Sequence, residues 1–171
     1  MKITVTLSTD SIGKAAKALH EYAESLNDKT SALVDAIGAK GTEFAVKEYD
    51  LGHNAKGGKL VDTGNTLASI AYEKTGEKSG SVSVGGAAVW IEFGTGVTHN
   101  AGSGHPKKGD LGMSDWGTYG KGHGADPNGW WYKKDNGWHH TYGIEMNPFM
   151  YNTSQDLRRE LVTIAREVFK K

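Results

Sequence analysis

Seven histidines, His20, His53, His99, His105, His123, His139 and His140, are the residues of this chain best suited to metal or acid–base chemistry. Imidazole can ligate a divalent metal or pass a proton near neutral pH. Their spacing argues against a built site. No pair has the His-Glu-x-x-His arrangement that sets two imidazoles and a general base on one helix face. His139 and His140 are adjacent, so on a strand they point to opposite faces. His99, His105 and His123 could join Asp110, Asp115 or Asp126, but they lie in a glycine-rich stretch that preorganises nothing. The expectation is solvated loop histidines, with no metal and no cofactor.

Glu92 is the carboxylate best placed for catalysis, at the end of the run Trp90-Ile91-Glu92-Phe93-Gly94-Thr95-Gly96. A strand-end carboxylate can act as an acid or base. More often it accepts hydrogen bonds from backbone amides of the adjacent turn, here Gly-Thr-Gly. No Gly-x-Ser-x-Gly elbow is present, and zero cysteines remove thiolate chemistry, disulfides and Cys-containing zinc sites. Gly120-Lys121-Gly122 lacks the hydroxyl residue of a phosphate-binding loop. The chain does not read as an enzyme.

The aromatic residues are more suggestive. Trp130, Trp131 and Tyr132 precede an Asn136-Gly137 turn signal, and Trp138 and Tyr142 follow it. Such a hairpin can serve as a protein-binding surface, a sugar platform or a base-stacking platform. The plainer alternative is that half of the rings pin the hairpin to a sheet and the rest form cross-strand pairs. Lys133 and Lys134 stand beside Asp135, so the tip is not strongly basic.

The elements that must position these residues follow from patterning. The chain has 171 residues, enough for one domain with a proper core. Its apolar fraction is 37%, with 24 glycines and 3 prolines, which implies long turns. Twenty basic and twenty acidic side chains cancel, so no field favours nucleic acid or an anionic membrane. The opening residues lack the apolar stretch of a signal peptide, no run could span a membrane, and synthesis and folding in a cytoplasm are expected.

Residues 2–7 alternate as a half-buried strand, and Ser8-Thr9-Asp10 supplies helix-capping oxygens. Apolar or small residues then recur at Ile12, Ala16, Leu19, Ala23, Leu26, Thr30, Leu33, Ile37 and Phe44. This heptad-like stripe is one face of a long helix, or of two broken near Asn27-Asp28, laid on a sheet, with a coiled coil as the alternative. Residues 50–59 read as a loop. Strands are expected at about 68–74, 80–86 and 87–93, forming a one-faced antiparallel meander.

From Gly94 to Gly143 the chain holds 13 of its 24 glycines and four of its five tryptophans. Residues 97–128 read as a long loop. The last helix should open at Asn147-Pro148, with Asn as cap, or at Asn152, with Gln155 three residues on, and bury Leu157, Leu161, Ile164, Ala165 and Val168. The fold class expected is α+β: a twisted antiparallel sheet packed by the N-terminal and C-terminal helices.

Three ordered motifs complete the reading. Thr63-Gly64-Asn65-Thr66-Leu67-Ala68-Ser69-Ile70 is followed by Glu92-Phe93-Gly94-Thr95, then by Pro148-Phe149-Met150. In this order, after a helical N-terminus, the chain resembles the head–tail connection proteins of long-tailed double-stranded DNA bacteriophages. These include tail-completion, minor capsid and neck proteins. Trp138-His139-His140-Thr141-Tyr142-Gly143 also resembles a variant preceding Pro-Phe in relatives from phages of Gram-positive bacteria. Asn152-Thr153 departs from the Pro-Ala that such relatives often carry.

The resemblance implies one domain over residues 1–171, with a loop and hairpin insertion at about 97–142. It implies motif residues Thr63, Gly64, Leu67, Ile70, Glu92, Phe93, Gly94, Thr95, Pro148 and Phe149. The partners implied are copies of the chain in a ring, with neck or connector and tail-terminator proteins on either side. No membrane or specific nucleic acid is implied. The protein would pass from the host cytoplasm to the neck/tail junction of the virion. Minor capsid or head-closure roles are the near alternatives; a metal-dependent hydrolase and a carbohydrate-binding module are the distant ones.

Overall fold

The computed structural model describes residues 8–52, 64–95, 105–107, 128–144 and 146–170. The first element, α1 (Thr9–Asp50), is one unbroken helix of 42 residues, about 63 Å long at the usual rise. Ser8 caps it as expected, its Oγ accepting from the Ser11 N–H at 3.2 Å. The last element, α4 (Phe149–Lys170), is 22 residues long and packs antiparallel on the C-terminal part of α1. Tyr49 meets Phe149 edge-on at 5.4 Å at one end of this contact. At the other end, Lys29 Nζ donates to the Phe169 carbonyl at 3.5 Å.

Between them come α2 (Asn65–Ala68), β1 (Ala71–Gly76), β2 (Ser79–Ser83), α3 (Ala88–Phe93), β3 (Trp130–Lys134) and β4 (Gly137–Thr141). The α+β class is as expected, but the sheet is not one meander. Among the described residues β1 pairs only with β2, and β3 only with β4, each as an antiparallel hairpin. The strand expected at 87–93 is the helix α3. Its alternating Val89, Ile91 and Phe93 satisfied a period of two over too few residues to exclude a helix. The helical period sets Ala88, Ile91 and Glu92 on one buried face and leaves Val89 and Trp90 exposed.

The β1–β2 hairpin lies against α1 through a tyrosine. A Cβ at Gly38 would sit 2.2 Å from the Tyr72 ring, and one at Gly80 only 2.4 Å from it. Both glycines are therefore the space the ring occupies. Tyr72 Oη donates to Asp35 Oδ1 at 3.0 Å, and Lys74 Nζ donates to Asp35 Oδ2 and to Ser31 Oγ, each at 2.7 Å. The Lys74 and Tyr72 hydrogen bonds hold the Asp35 carboxyl below its ordinary 3.8, while desolvation and Asp35 raise the Tyr72 phenol.

The core joins Ala45 and Tyr49 of α1, Ile70, Ala88 and Ile91, and Phe149 of α4. Leu67, Val82, Val84 and Met150 close around them. Ile164 is buried further along α4, while Leu161, expected on the same inner face, stays 43% exposed. No described helix is long and apolar enough to cross a membrane.

Candidate functional site

Among the described residues, Glu92 is the centre of a buried polar cluster. It sits in the last turn of α3 and is buried. Its Oε2 accepts from the Met150 N–H at 2.8 Å, and its Oε1 from the Tyr151 N–H at 3.0 Å. These are the second and third residues of α4, whose amides have no partner within their own helix. A carboxylate from another element thus fills the place of an N-cap side chain, and its charge suits the positive end of the helix dipole. Glu92 does bond backbone amides, as expected, but those of α4 rather than of its own Gly-Thr-Gly turn.

His105 completes the cluster. Its Nδ1 accepts from the Lys107 N–H at 2.9 Å, which assigns the ring proton to Nε2. That nitrogen lies 3.0 Å from Glu92 Oε1 and donates to it. The ring is buried, tilted against Phe93 with centroids 4.2 Å apart and edge-on to Tyr151 at 5.8 Å. One of the loop histidines expected to be solvated is therefore an interior hydrogen-bond partner. The signal missed was pairing: a buried carboxylate with two amides still has lone pairs to satisfy.

The rest of the Glu-Phe-Gly-Thr motif locks the same joint. Gly94 has φ +71, and a Cβ there would lie 2.9 Å from both the Ile144 carbonyl oxygen and the Met146 nitrogen. Thr95 pairs with Ile144 reciprocally: Thr95 N donates to Ile144 O at 2.8 Å, and Ile144 N donates to Thr95 Oγ1 at 2.9 Å. Asn147, expected to cap α4, does something else. Its backbone N–H donates to the Ile91 carbonyl at 2.9 Å, while its Nδ2 donates to the Glu48 carbonyl at 3.1 Å and the Tyr49 carbonyl at 3.4 Å. It closes the C-terminal end of α1. Pro148 precedes Phe149, and its carbonyl accepts from the Asn152 N–H at 2.8 Å.

The first motif enters the same region from the other side. Thr63 lies outside the described residues. Gly64, at φ +75, opens α2, and Leu67 and Ile70 point into the core. Thr66 Oγ1 accepts from the Ala87 N–H at 3.1 Å, and Ser69 Oγ from the Gly85 N–H at 2.9 Å, tying α2 to the start of α3. Burial raises the Tyr49 phenol, Asp50 adds to this, and a hydrogen bond with Thr66 opposes it. Every described motif residue thus lies in or beside one junction. Its sheltered polar atoms are paired: no buried side-chain nitrogen or oxygen among the described residues lacks a partner.

The aromatic hairpin is a different surface. Trp131 pairs with His140 and Tyr132 with His139, so the two histidines do face opposite ways. Lys134 pairs with Gly137, which makes Asp135-Asn136 the two-residue loop, one position earlier than the turn signal suggested. Trp131, Lys133, Trp138, His140 and Tyr142 share one face by alternation. On it Trp131 is 62% exposed, Trp138 67% and Tyr142 46%. Trp130, on the other face, is half-buried. Trp131 and Trp138 leave most of their area open.

Of the residues considered for a metal, His53, His99, His123, Asp110, Asp115 and Asp126 lie outside the described residues, as do most of the 97–128 loop and the 2–7 strand. His20 lies 3.3 Å from Glu24 on the outer surface of α1. His139 Nε2 is 2.7 Å from Asn136 Oδ1, and His140 Nε2 donates to the Asn128 carbonyl at 3.0 Å. Compared with known proteins, the chain matches no protein-family profile, no curated protein and no solved structure.

Proposed function

We propose that this chain is a structural virion protein of a tailed phage or prophage, joining head or neck to tail by assembling as a ring. The observation that carries the reading is the fate of Glu92. Three of its acceptor positions are filled by the Met150 and Tyr151 amides and by His105, so it holds α4 in place. The ordered motifs that carry the family resemblance act as joints of one fold, as a particle component requires. The exposed rings of the β3–β4 hairpin are then contact surface for neighbouring copies or for neck proteins. Tyr and Trp supply large contact area at little entropic cost.

Tail completion is the position proposed, with minor capsid and head closure as neighbouring roles of the same kind. The test is quantitative mass spectrometry on gradient-purified particles. A single ring's worth of copies supports the neck position, and capsid-like or tube-like abundance moves the protein elsewhere in the virion. Absence from particles, with the protein abundant in the lysate, would sink the structural reading. One observation favours a second reading, a carbohydrate-binding module: Trp131 and Trp138 lie open on one hairpin face. Quenching of tryptophan emission by neutral oligosaccharides would support it.

A further inference from the structure

The N-terminal part of α1 runs on past the end of α4. From Glu21 to Asp28 every residue is exposed, and from Thr9 to His20 only Ser11, Ala15 and Ala18 are half-buried. This arm of 20 residues, about 30 Å long, carries an apolar seam that nothing among the described residues covers. Ile12, Leu19 and Leu26 stand seven apart, with Ala15 and Tyr22 three residues after the first two. Ile12 is 52% exposed, Leu19 56%, Tyr22 47% and Leu26 37%. The flanks of the seam, Ser11, Ala16, Ala18, Ala23 and Ser25, carry no charge. Further along the same line, where α4 covers α1, Leu33 and Ala36 are half-buried. The seam is thus the continuation of an interface the chain already makes with itself.

We infer that two copies of the chain pair through these arms, antiparallel, as a reversible dimer. The seam chooses both the partner and the direction. In an antiparallel pair, facing layers join the two kinds of seam position. Ile12 then meets Tyr22 of the second copy, and Ala15 meets its Leu19, each layer repeated by the twofold axis. Every layer sets a larger side chain against a smaller one, which packs without voids. A parallel pair would set Ala15 on Ala15 and Tyr22 on Tyr22, leaving one gap and one crowded layer.

The overlap also brings the start of each arm to the level of the other's Leu26, just short of where α4 ends beside Lys29. Charge disfavours a membrane as the occupant. Lys14 and Lys17 stand against Asp10, Glu21, Glu24 and Asp28, two positive against four negative, a net of −2. Those charges lie away from the seam, partly in pairs such as Lys14–Asp10 at 2.7 Å. The contact is short beside standard interfaces, so the dimer is concentration-dependent. It closes at two copies and does not depend on the ring reading.

The test uses the full chain, which has no cysteine of its own. Sedimentation equilibrium should show a monomer–dimer equilibrium, and Leu19→Glu should weaken it by at least about tenfold, with an unchanged melt. Ile12→Cys and Tyr22→Cys proteins, mixed and oxidised, should give cross-linked dimer, while Ile12→Cys alone should give none. A monomer at every concentration would overturn the inference, as would an equilibrium indifferent to Leu19→Glu. Efficient cross-linking of Ile12→Cys to itself would overturn the antiparallel arrangement.

Discussion

The junction around Glu92 and the hairpin that carries Trp131 spend their side chains in opposite ways. At the junction, Phe149 is fully buried, Glu92 and His105 are nearly so, and the Glu92 carboxylate joins α3 to both α4 and His105. On the hairpin Trp131 and Trp138 point outward, and the described ring contacts stay within the hairpin itself. The three ordered motifs therefore build the fold, while the hairpin, whose Trp138–Gly143 run also resembles a family variant, supplies the available surface. A motif is as readily the record of a joint as of an active site.

Several substitutions would break or sharpen this contrast. Phe149→Ala should have the largest effect, about 3–5 kcal/mol lost in denaturant unfolding, because it empties the centre of the core. A loss below about 1 kcal/mol would mean that the motifs do not share one core. Glu92→Ala should cost about 2–4 kcal/mol, since two helix amides and His105 lose their acceptor together. Hydrogen exchange at Met150 and Tyr151 should accelerate in that variant before the rest of α4 does. Gly94→Ala should cost about 1–3 kcal/mol, from its positive φ and its contact with Ile144 and Met146.

The peripheral changes should be smaller. Trp131→Ala and Trp138→Ala should each stay within about 0.5 kcal/mol of wild type. Asp35 gives the subtlest effect. Its folded pKa lies below the ordinary 3.8, so its contribution is present above that value and disappears as pH falls through the folded one. The melting difference between wild type and Asp35→Asn should therefore be visible at pH 6 and shrink as pH drops below 3.8. A difference that persists in acid would assign the effect to packing of Tyr72 instead.

How much of this was legible in the sequence depended on the range of the interaction involved. The Ser8 cap and the hairpin near Asn136 follow from neighbours within a few residues and are legible in the sequence, whereas the pattern over α1 fits one helix or two broken near Asn27-Asp28, and the structure has one. Residues 88–93 were misread because a six-residue apolar run fits both periods, and burial by distant elements chose the helix. Asn147 has the residue type of a cap but serves α1, which ends 97 positions earlier at Asp50. Gly38 and Gly80 are another long-range case. Their purpose, room for Tyr72, exists only once the hairpin lies on α1. The pairing of His105 with Glu92 spans a glycine-rich stretch and left no local mark.

The most direct test joins the two regions in one experiment. A Trp131→Ala/Trp138→Ala double variant would be expressed in place of wild type, and its copy number in purified particles measured by quantitative mass spectrometry beside its melting temperature. The expected result is a protein with the wild-type melt that is missing from particles in which the wild type appears at a single ring's worth of copies. A double variant incorporated as fully as wild type, or a wild type absent from particles, would contradict the division between a motif-built joint and an aromatic contact surface.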